Sequence, residues 1–99
     1  MEKIEIPELV FSDNPKVRAL EEVFVKLVPE YNDLLEKKNN LFKFISNDIN
    51  RKKVSTTQWK LLVDQDAAMF TYLIILDMRI QDMKNQVNKL LKRKKNEKY

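Results

Sequence analysis

The sequence predicts an all-α protein in which short helices pack on one long helix and copies assemble into an oligomeric helical bundle. The 99 residues include no glycine, which disfavours hairpins and other turns that need a positive φ. Apolar residues recur at helical spacing through most of the chain. Hydrophobic residues make up 43% and charged residues 34% of the chain, a balance that supports the core of one small domain.

The chain is expected to begin with an extended arm, residues 1–13. Pro7 prevents a regular helix there, and the arm carries the apolar residues Ile4, Ile6, Leu9, Val10 and Phe11. Such an arm packs either on its own domain or on a neighbouring copy. Residues 14–95 then form a single helical domain, and residues 96–99 are the end of a basic C-terminal tail.

Two short helices are predicted next. Asn14 suits an N-cap and Pro15 the first helical position, and an apolar stripe follows until Pro29, which is expected to break or kink the helix. The second helix is predicted from about Glu30 to Ile49. Without a glycine, Asn50 is the best available left-handed C-cap in the basic turn that follows.

The last helix is predicted to be long. Ser55 and Gln58 form a capping box, and the helix starting at Trp59 need not stop before about Lys95. A second helix of about 20 residues would cover only about 30 Å of its length of about 57 Å. The segment 67–76 is uncharged on every face, and a helix that is apolar all round is buried all round. The pattern therefore predicts a bundle shared between subunits.

The composition argues against an enzyme. Cysteine and histidine are absent, so we expect no disulfides, thiol nucleophiles, zinc sites or histidine-based acid–base catalysis. Neither serine nor threonine has a histidine to activate it. We therefore expect no catalytic residues, no metal site and no cofactor. The start of the chain lacks the pattern of a signal peptide, and the uncharged segment is too short for a bilayer, so no membrane partner is expected.

The charges and aromatic residues favour binding of an anion. Residues 1–36 carry a net charge of −5 and residues 37–99 a net charge of +9, which points to anionic ligands for the second half or to docking between unlike faces of neighbouring subunits. Tyr31 offers a face for a base and Asn32 can bind a base edge or a ribose, while Lys43 and Arg79 can contact phosphates. Equally, Tyr31 fits a core-edge aromatic, and Arg79 fits an i, i+3 pair with Asp82.

From Tyr31 to Ile80 the chain resembles a family of small phage proteins, the anti-CBASS cyclic-nucleotide sponges, which have relatives in T4-like phages. Three blocks carry the resemblance: E-Y-N-x-L from Glu30, L-x-x-F-I from Leu41, and L-L-x-x-Q-x-x-A-M-x-x-Y-L-x-I-L-x-x-R-I from Leu61. The last block is the most specific, because glutamine, Ala-Met, tyrosine and arginine interrupt the apolar stripe at fixed steps.

The resemblance implies a homo-oligomer, typically a hexamer, that binds cyclic di- and trinucleotide second messengers between protomers in the host cytoplasm. No reaction occurs, and sequestration of the messenger silences host CBASS signalling, a form of immune evasion. Tyr31 would stack on a purine, Asn32 would support that pocket, and Arg79 would hold the phosphates of a trinucleotide. The residue after Phe44-Ile45 usually contacts ligand, which here means Ser46 or Asn47.

Serine at that position departs from the lysine that is common in the family, so Lys43 or the basic turn 51–53 is expected to substitute for it or the ligand preference to differ. Two other functions stay open from the sequence. One is a helical structural or adaptor protein with no small ligand. The other is a basic nucleic-acid-binding module that uses residues 84–99, although under the sponge hypothesis long nucleic acid is not an expected partner.

Overall fold

The protein is a helical hairpin with an N-terminal arm. A computed structural model describes residues 1–10 and 13–96, with side chains described as far as Lys92. Helix α1 is Pro15–Ile45, a short 3-10 helix is Asp48–Lys53, and helix α2 is Thr56–Asn96. The all-α class is confirmed, since no strand occurs in the described part of the chain. The hairpin measures 68 × 17 × 16 Å.

The predicted break at Pro29 is wrong, because α1 runs through it as a single helix of 31 residues. In a regular helix the N–H of residue 29 would donate to the carbonyl of Val25, but proline has no N–H. Pro29 and Val25 are both exposed. Water can therefore satisfy the carbonyl that the missing N–H leaves free. Phe24 and Tyr31, on either side of the proline, pack into the same core, and this shared burial favours one continuous helix.

The helix ends follow the local sequence. Asn14 caps α1, its Oδ1 accepting a hydrogen bond from the Lys16 N–H at 2.9 Å, as predicted. Ser55 caps α2, its Oγ accepting from the Gln58 N–H at 3.0 Å, also as predicted, although α2 begins three residues before Trp59.

The C-terminal end of α1 was predicted wrongly. The helix ends at Ile45, four residues before the predicted Ile49, and its C-cap is Ser46 in right-handed backbone geometry. Asn50 contributes through its side chain instead, donating from Nδ2 to the Phe44 carbonyl at 2.8 Å. The cause is the 3-10 helix, which Asn47 initiates by accepting from the Ile49 N–H at 3.1 Å.

One continuous core joins the two helices. Its central residues, Val17, Val28, Leu73, Leu76 and Ile80, are at most 1% exposed. Because α1 spans about 46 Å and α2 about 61 Å, α1 covers much more of α2 than a 20-residue helix would. It covers only one side, however. Ile74 and Ile75 of the uncharged segment and the nearby Met78 are exposed.

The arm packs on its own chain rather than pointing away from it. Ile4 is half-buried against the core, and the arm's main chain is hydrogen-bonded to side chains of α1. Within the single chain the arm therefore packs on its own domain, and the alternative that it packs on a neighbouring copy stays a prediction. Phe11, residues 97–99 and the side chains of Arg93, Lys94 and Lys95 lie outside the described part of the chain.

Candidate functional site

Tyr31, the predicted purine platform, lies in the core beneath the arm. Its side chain is only 2% exposed, and its hydroxyl donates to the Glu2 carbonyl over 3.4 Å. Burial, and then the negative charge of Asp77, raise the pKa of the Tyr31 phenol above its usual 10.0. In this conformation the ring therefore has no free face for a base.

Asn32 holds the arm in place with both atoms of its amide. Its Oδ1 accepts from the Ile4 N–H at 2.8 Å, and its Nδ2 donates to the Ile4 carbonyl at 2.8 Å. Both bonds have good length, and the asparagine is half-buried. An extended piece of main chain thus occupies the polar group that was predicted to bind a base or a ribose.

Two further contacts fix the arm along α1. The Val10 N–H donates to Glu21 Oε2 at 3.0 Å. Lys3 Nζ lies 4.0 Å from Glu36 Oε2, with both side chains about two-thirds exposed, so this ion pair contributes little. The arm is therefore attached mainly through Ile4, the two Asn32 bonds and the Val10 bond.

A polar cluster beside Tyr31 joins the two helices, and sequence reasoning assigned it no role. The Tyr72 hydroxyl of α2 donates to the Glu30 carboxylate of α1. This hydrogen bond, with burial and the charge of Glu30, raises the pKa of Tyr72, while Arg79 lowers it. Glu30 and Tyr72 belong to the blocks that carry the family resemblance, and that was the only signal for them.

Arg79 is exposed two turns from Tyr72 along α2. The predicted ion pair with Asp82 is not found among the described residues, where the two recorded ion pairs are Lys3–Glu36 and Lys38–Asp66. Asp82 instead accepts from Gln86 Nε2 at 2.7 Å. The guanidinium is therefore available to a phosphate, and it lies about 10 Å along the helix axis from Tyr72.

The other predicted residues lie at the closed end of the hairpin. Lys43 is exposed in the last turn of α1, and Ser46 and Asn47 are exposed at the junction with the 3-10 helix. Ser46 is 15 residues beyond Tyr31, which places it about 22 Å away along the axis. One protomer thus separates Tyr31 from Ser46 and brings together Tyr31 and Asn32. A ligand that contacts both ends needs two protomers.

Aromatic and basic side chains also meet at two places that the sequence did not single out. Lys38 forms an ion pair with Asp66 at 3.4 Å, mostly shielded from solvent, and lies 4.9 Å and 5.6 Å from the centres of the Phe42 and Phe70 rings. At the closed end, Arg51 lies 5.6 Å from the Trp59 ring centre, and Trp59 packs on Phe44. Both arrangements hold the loop end of the hairpin together by cation–π contact.

Two features are absent from the described part of the chain. No group of three or more potential metal-ligating histidine, cysteine, aspartate or glutamate side chains occurs among those residues. No helix in that part is both long and apolar enough to cross a membrane.

One comparison with known proteins found a match over part of the chain. The model of a family described as Sequestin matches residues 21–82, well over half of the chain. That stretch contains Tyr31, Asn32, the closed end and Arg79, whereas the arm precedes it. No curated protein and no solved structure matches the chain.

Proposed function

Because the chain belongs to the Sequestin family, we propose that it is a non-catalytic sponge that binds and sequesters cyclic di- and trinucleotide second messengers. The family match carries this proposal, since its description denotes sequestration and it covers the residues that a nucleotide would need. Sequestration requires tight binding without a reaction. A chain with no histidine and no cysteine suits such a role, because the usual general bases and thiol nucleophiles are absent.

The roles of the side chains follow their chemistry. Tyr31 stacks on a purine, which contributes about 1–3 kcal/mol for each base, and Asn32 hydrogen-bonds the same nucleotide. Arg79 binds phosphates in a fork. At the closed end, Lys43 supplies the charge that Ser46 and Asn47 lack.

The binding site is proposed to lie between protomers. Tyr31 and Ser46 of one chain are separated by about 22 Å along the helix axis. One cyclic dinucleotide is too small to bridge that distance. Two antiparallel copies would place the closed end of one hairpin beside the Tyr31 region of the other. The exposed apolar face of α2 supports such assembly, for which a hexamer is the expected size.

The biological setting is part of the same proposal. A phage protein of this kind would act in the cytoplasm of the host, where it would lower the free concentration of the messenger. The host effector would then stay inactive, so that CBASS-type defence fails. This is inhibition by mass action, and it needs as many binding sites as there are messenger molecules.

Calorimetric titration with cyclic di-AMP, cyclic di-GMP and a cyclic trinucleotide tests the function, with the linear dinucleotide as the control ligand. We expect micromolar or tighter binding of at least one cyclic ligand and recovery of the ligand unchanged after denaturation. Absence of heat with every cyclic ligand, or recovery of a hydrolysed product, would end the proposal.

The role of Tyr31 is tested with Tyr31→Leu, which keeps an apolar side chain in the core but removes the stacking surface. Affinity is expected to fall about 5- to 140-fold, the equivalent of one lost stacked base. Phe24→Leu is the matched control, because Phe24 is a buried aromatic residue of the same helix and core and has no proposed contact with the ligand. Equal loss in both variants would remove Tyr31 from the site.

A structural or adaptor protein is the second candidate, and one observation favours it. Ile74, Ile75 and Met78 form an exposed apolar face that serves any partner helix as well as a second copy. This candidate predicts self-association with no binding of cyclic nucleotides, so the same titration separates the two functions.

A further inference from the structure

The N-terminal arm occupies the group that the nucleotide needs. Asn32 has one carboxamide, and its oxygen and nitrogen are both engaged by the main chain of Ile4, at 2.8 Å each. The hydroxyl of Tyr31 is directed to the Glu2 carbonyl. The two residues proposed to bind the purine therefore both contact the arm.

We infer that the arm and the nucleotide bind the same surface, so that the arm is an intramolecular competitor that the ligand displaces. The inference rests on the proposed function. It concerns residues 1–10, which precede the family-matched stretch 21–82. It is therefore a property of this chain that the family match does not supply.

Adenine can offer the Asn32 amide the same pair of hydrogen-bonding groups that the arm offers it. Ile4 presents one N–H donor and one carbonyl acceptor side by side to the amide of Asn32. The major-groove edge of adenine presents the same pair, N6–H as donor and N7 as acceptor, and asparagine binds that edge with two hydrogen bonds. An adenine can therefore replace the main chain of the arm and keep both hydrogen bonds of the half-buried Asn32 amide. An unpaired amide at this position would be unfavourable.

Charge makes the two occupants mutually exclusive. The arm carries Glu2, Glu5 and Glu8 against a single Lys3. A cyclic nucleotide adds a negative charge at each phosphate, and like charges at close range repel, the more so where water is excluded. The phosphates and the acidic arm would not share one small surface.

The part of the arm that contacts Asn32, residues 2–6, is attached weakly enough to leave. Of residues 2–6 only Ile4 is half-buried, while its four neighbours Glu2, Lys3, Glu5 and Ile6 are exposed. Segments with few buried apolar contacts open at low free energy. The competition should therefore reduce the apparent affinity of the nucleotide rather than abolish binding.

The variant Ile4→Pro in the full chain tests the inference. Proline has no N–H, so position 4 can no longer donate the hydrogen bond that Asn32 Oδ1 accepts. The arm is then released more easily, while Tyr31 and Asn32 stay unchanged. Binding of cyclic di-AMP is expected to become about 2- to 10-fold tighter, the equivalent of one hydrogen bond. Ile6→Pro is the matched control, because it places the same ring two residues on, where no recorded contact to Asn32 is lost, and its affinity should stay within twofold of the parent.

Hydrogen exchange on the parent protein gives a second readout that needs no variant. The amides of residues 2–5 are expected to exchange faster when cyclic di-AMP is bound, against the usual slowing on ligand binding. Unchanged or increased protection of the arm in the complex, or unchanged affinity of Ile4→Pro, would overturn the inference while leaving the sponge intact. If the parent and Ile4→Pro both fail to bind any cyclic nucleotide, the proposed function fails, and the inference fails with it.

Discussion

At the scale of single residues, Tyr31 and Asn32 show what a sequence can and cannot give. The E-Y-N pattern identified both as candidates. The alternative that Tyr31 is a core aromatic describes its position in the free protomer, where it is 2% exposed. The partner of Asn32 is Ile4, 28 residues away, and no local pattern predicts a side chain–main chain contact at that separation.

Tyr31 predicts a dependence of stability on alkaline pH. Burial raises the pKa of its phenol, so the folded state holds this proton more tightly than the unfolded state. The resulting stability is fully present below pH 10.0, the unfolded pKa, and is lost as the pH rises through the higher folded pKa. Tyr31→Phe has no proton to lose, so its stability relative to the parent should stay constant below pH 10.0 and improve as the pH rises above it.

Urea unfolding at several pH values measures this difference. Tyr72→Phe serves as the comparison, because the pKa of Tyr72 is raised through the Glu30 hydrogen bond at a surface position. A parent and a Tyr31→Phe variant that lose stability in parallel above pH 10 would contradict the assignment.

The burial of Tyr31 also explains why Tyr31→Leu is a better test of binding than Tyr31→Ala, since truncation of a buried aromatic to alanine costs about 3–5 kcal/mol.

At the scale of elements, local signals predicted how helices begin and failed where tertiary packing decides. Asn14 and Ser55 cap the helices as their sequence patterns indicate. Pro29 was expected to divide α1, and it does not. A proline removes one hydrogen bond and adds a steric clash, whereas the core residues on both sides of it share one partner helix. Single-residue propensity is a weak guide under those conditions.

Pro29→Ala is therefore expected to stabilise the protein. Alanine restores the N–H that can bond to the Val25 carbonyl, and Pro29 is exposed, so no core contact is lost. We expect a gain of about 1–3 kcal/mol, the lower figure applying if proline also limits the unfolded chain. Thermal unfolding followed by circular dichroism measures it.

Lys26→Ala is the control for the effect of alanine alone at an exposed position of the same helix. If Pro29→Ala melts below the parent while Lys26→Ala does not, then Pro29 has a structural role that the hairpin alone does not reveal. A contact with a second copy would be the first place to look, because Pro29 and its neighbour Glu30 lie on the surface.

At the scale of the whole molecule, the hairpin leaves one side of α2 without a partner. Ala67, Thr71, Ile74 and Met78 follow one another at steps of four, three and four, the spacing of a helix–helix seam. Leu73 and Leu76 between them are buried by α1. The sequence predicts that segment 67–76 needs cover on every face, and of its ten residues the protomer buries Leu73 and Leu76 and half-buries Met69.

Met78 gives the sharpest test of that uncovered face. Its side chain is 66% exposed in the protomer, so Met78→Glu should leave the hairpin as stable as before. In an assembly that buries this face, the new carboxylate would lie unpaired in an apolar contact, which is strongly unfavourable. Self-association should weaken at least tenfold, as measured by sedimentation velocity across a concentration series.

Asn85→Glu adds the same charge to the same face two turns on, beyond the apolar seam, and should assemble like the parent. The outcome also bears on binding. If the nucleotide lies between protomers, Met78→Glu must lose affinity for cyclic nucleotides in parallel with assembly, although residue 78 would not touch the ligand. Full affinity in a monomeric Met78→Glu variant would place the whole binding site within one hairpin. Ser46 would then lie outside the site, because it is separated from Tyr31 by about 22 Å along the helix axis.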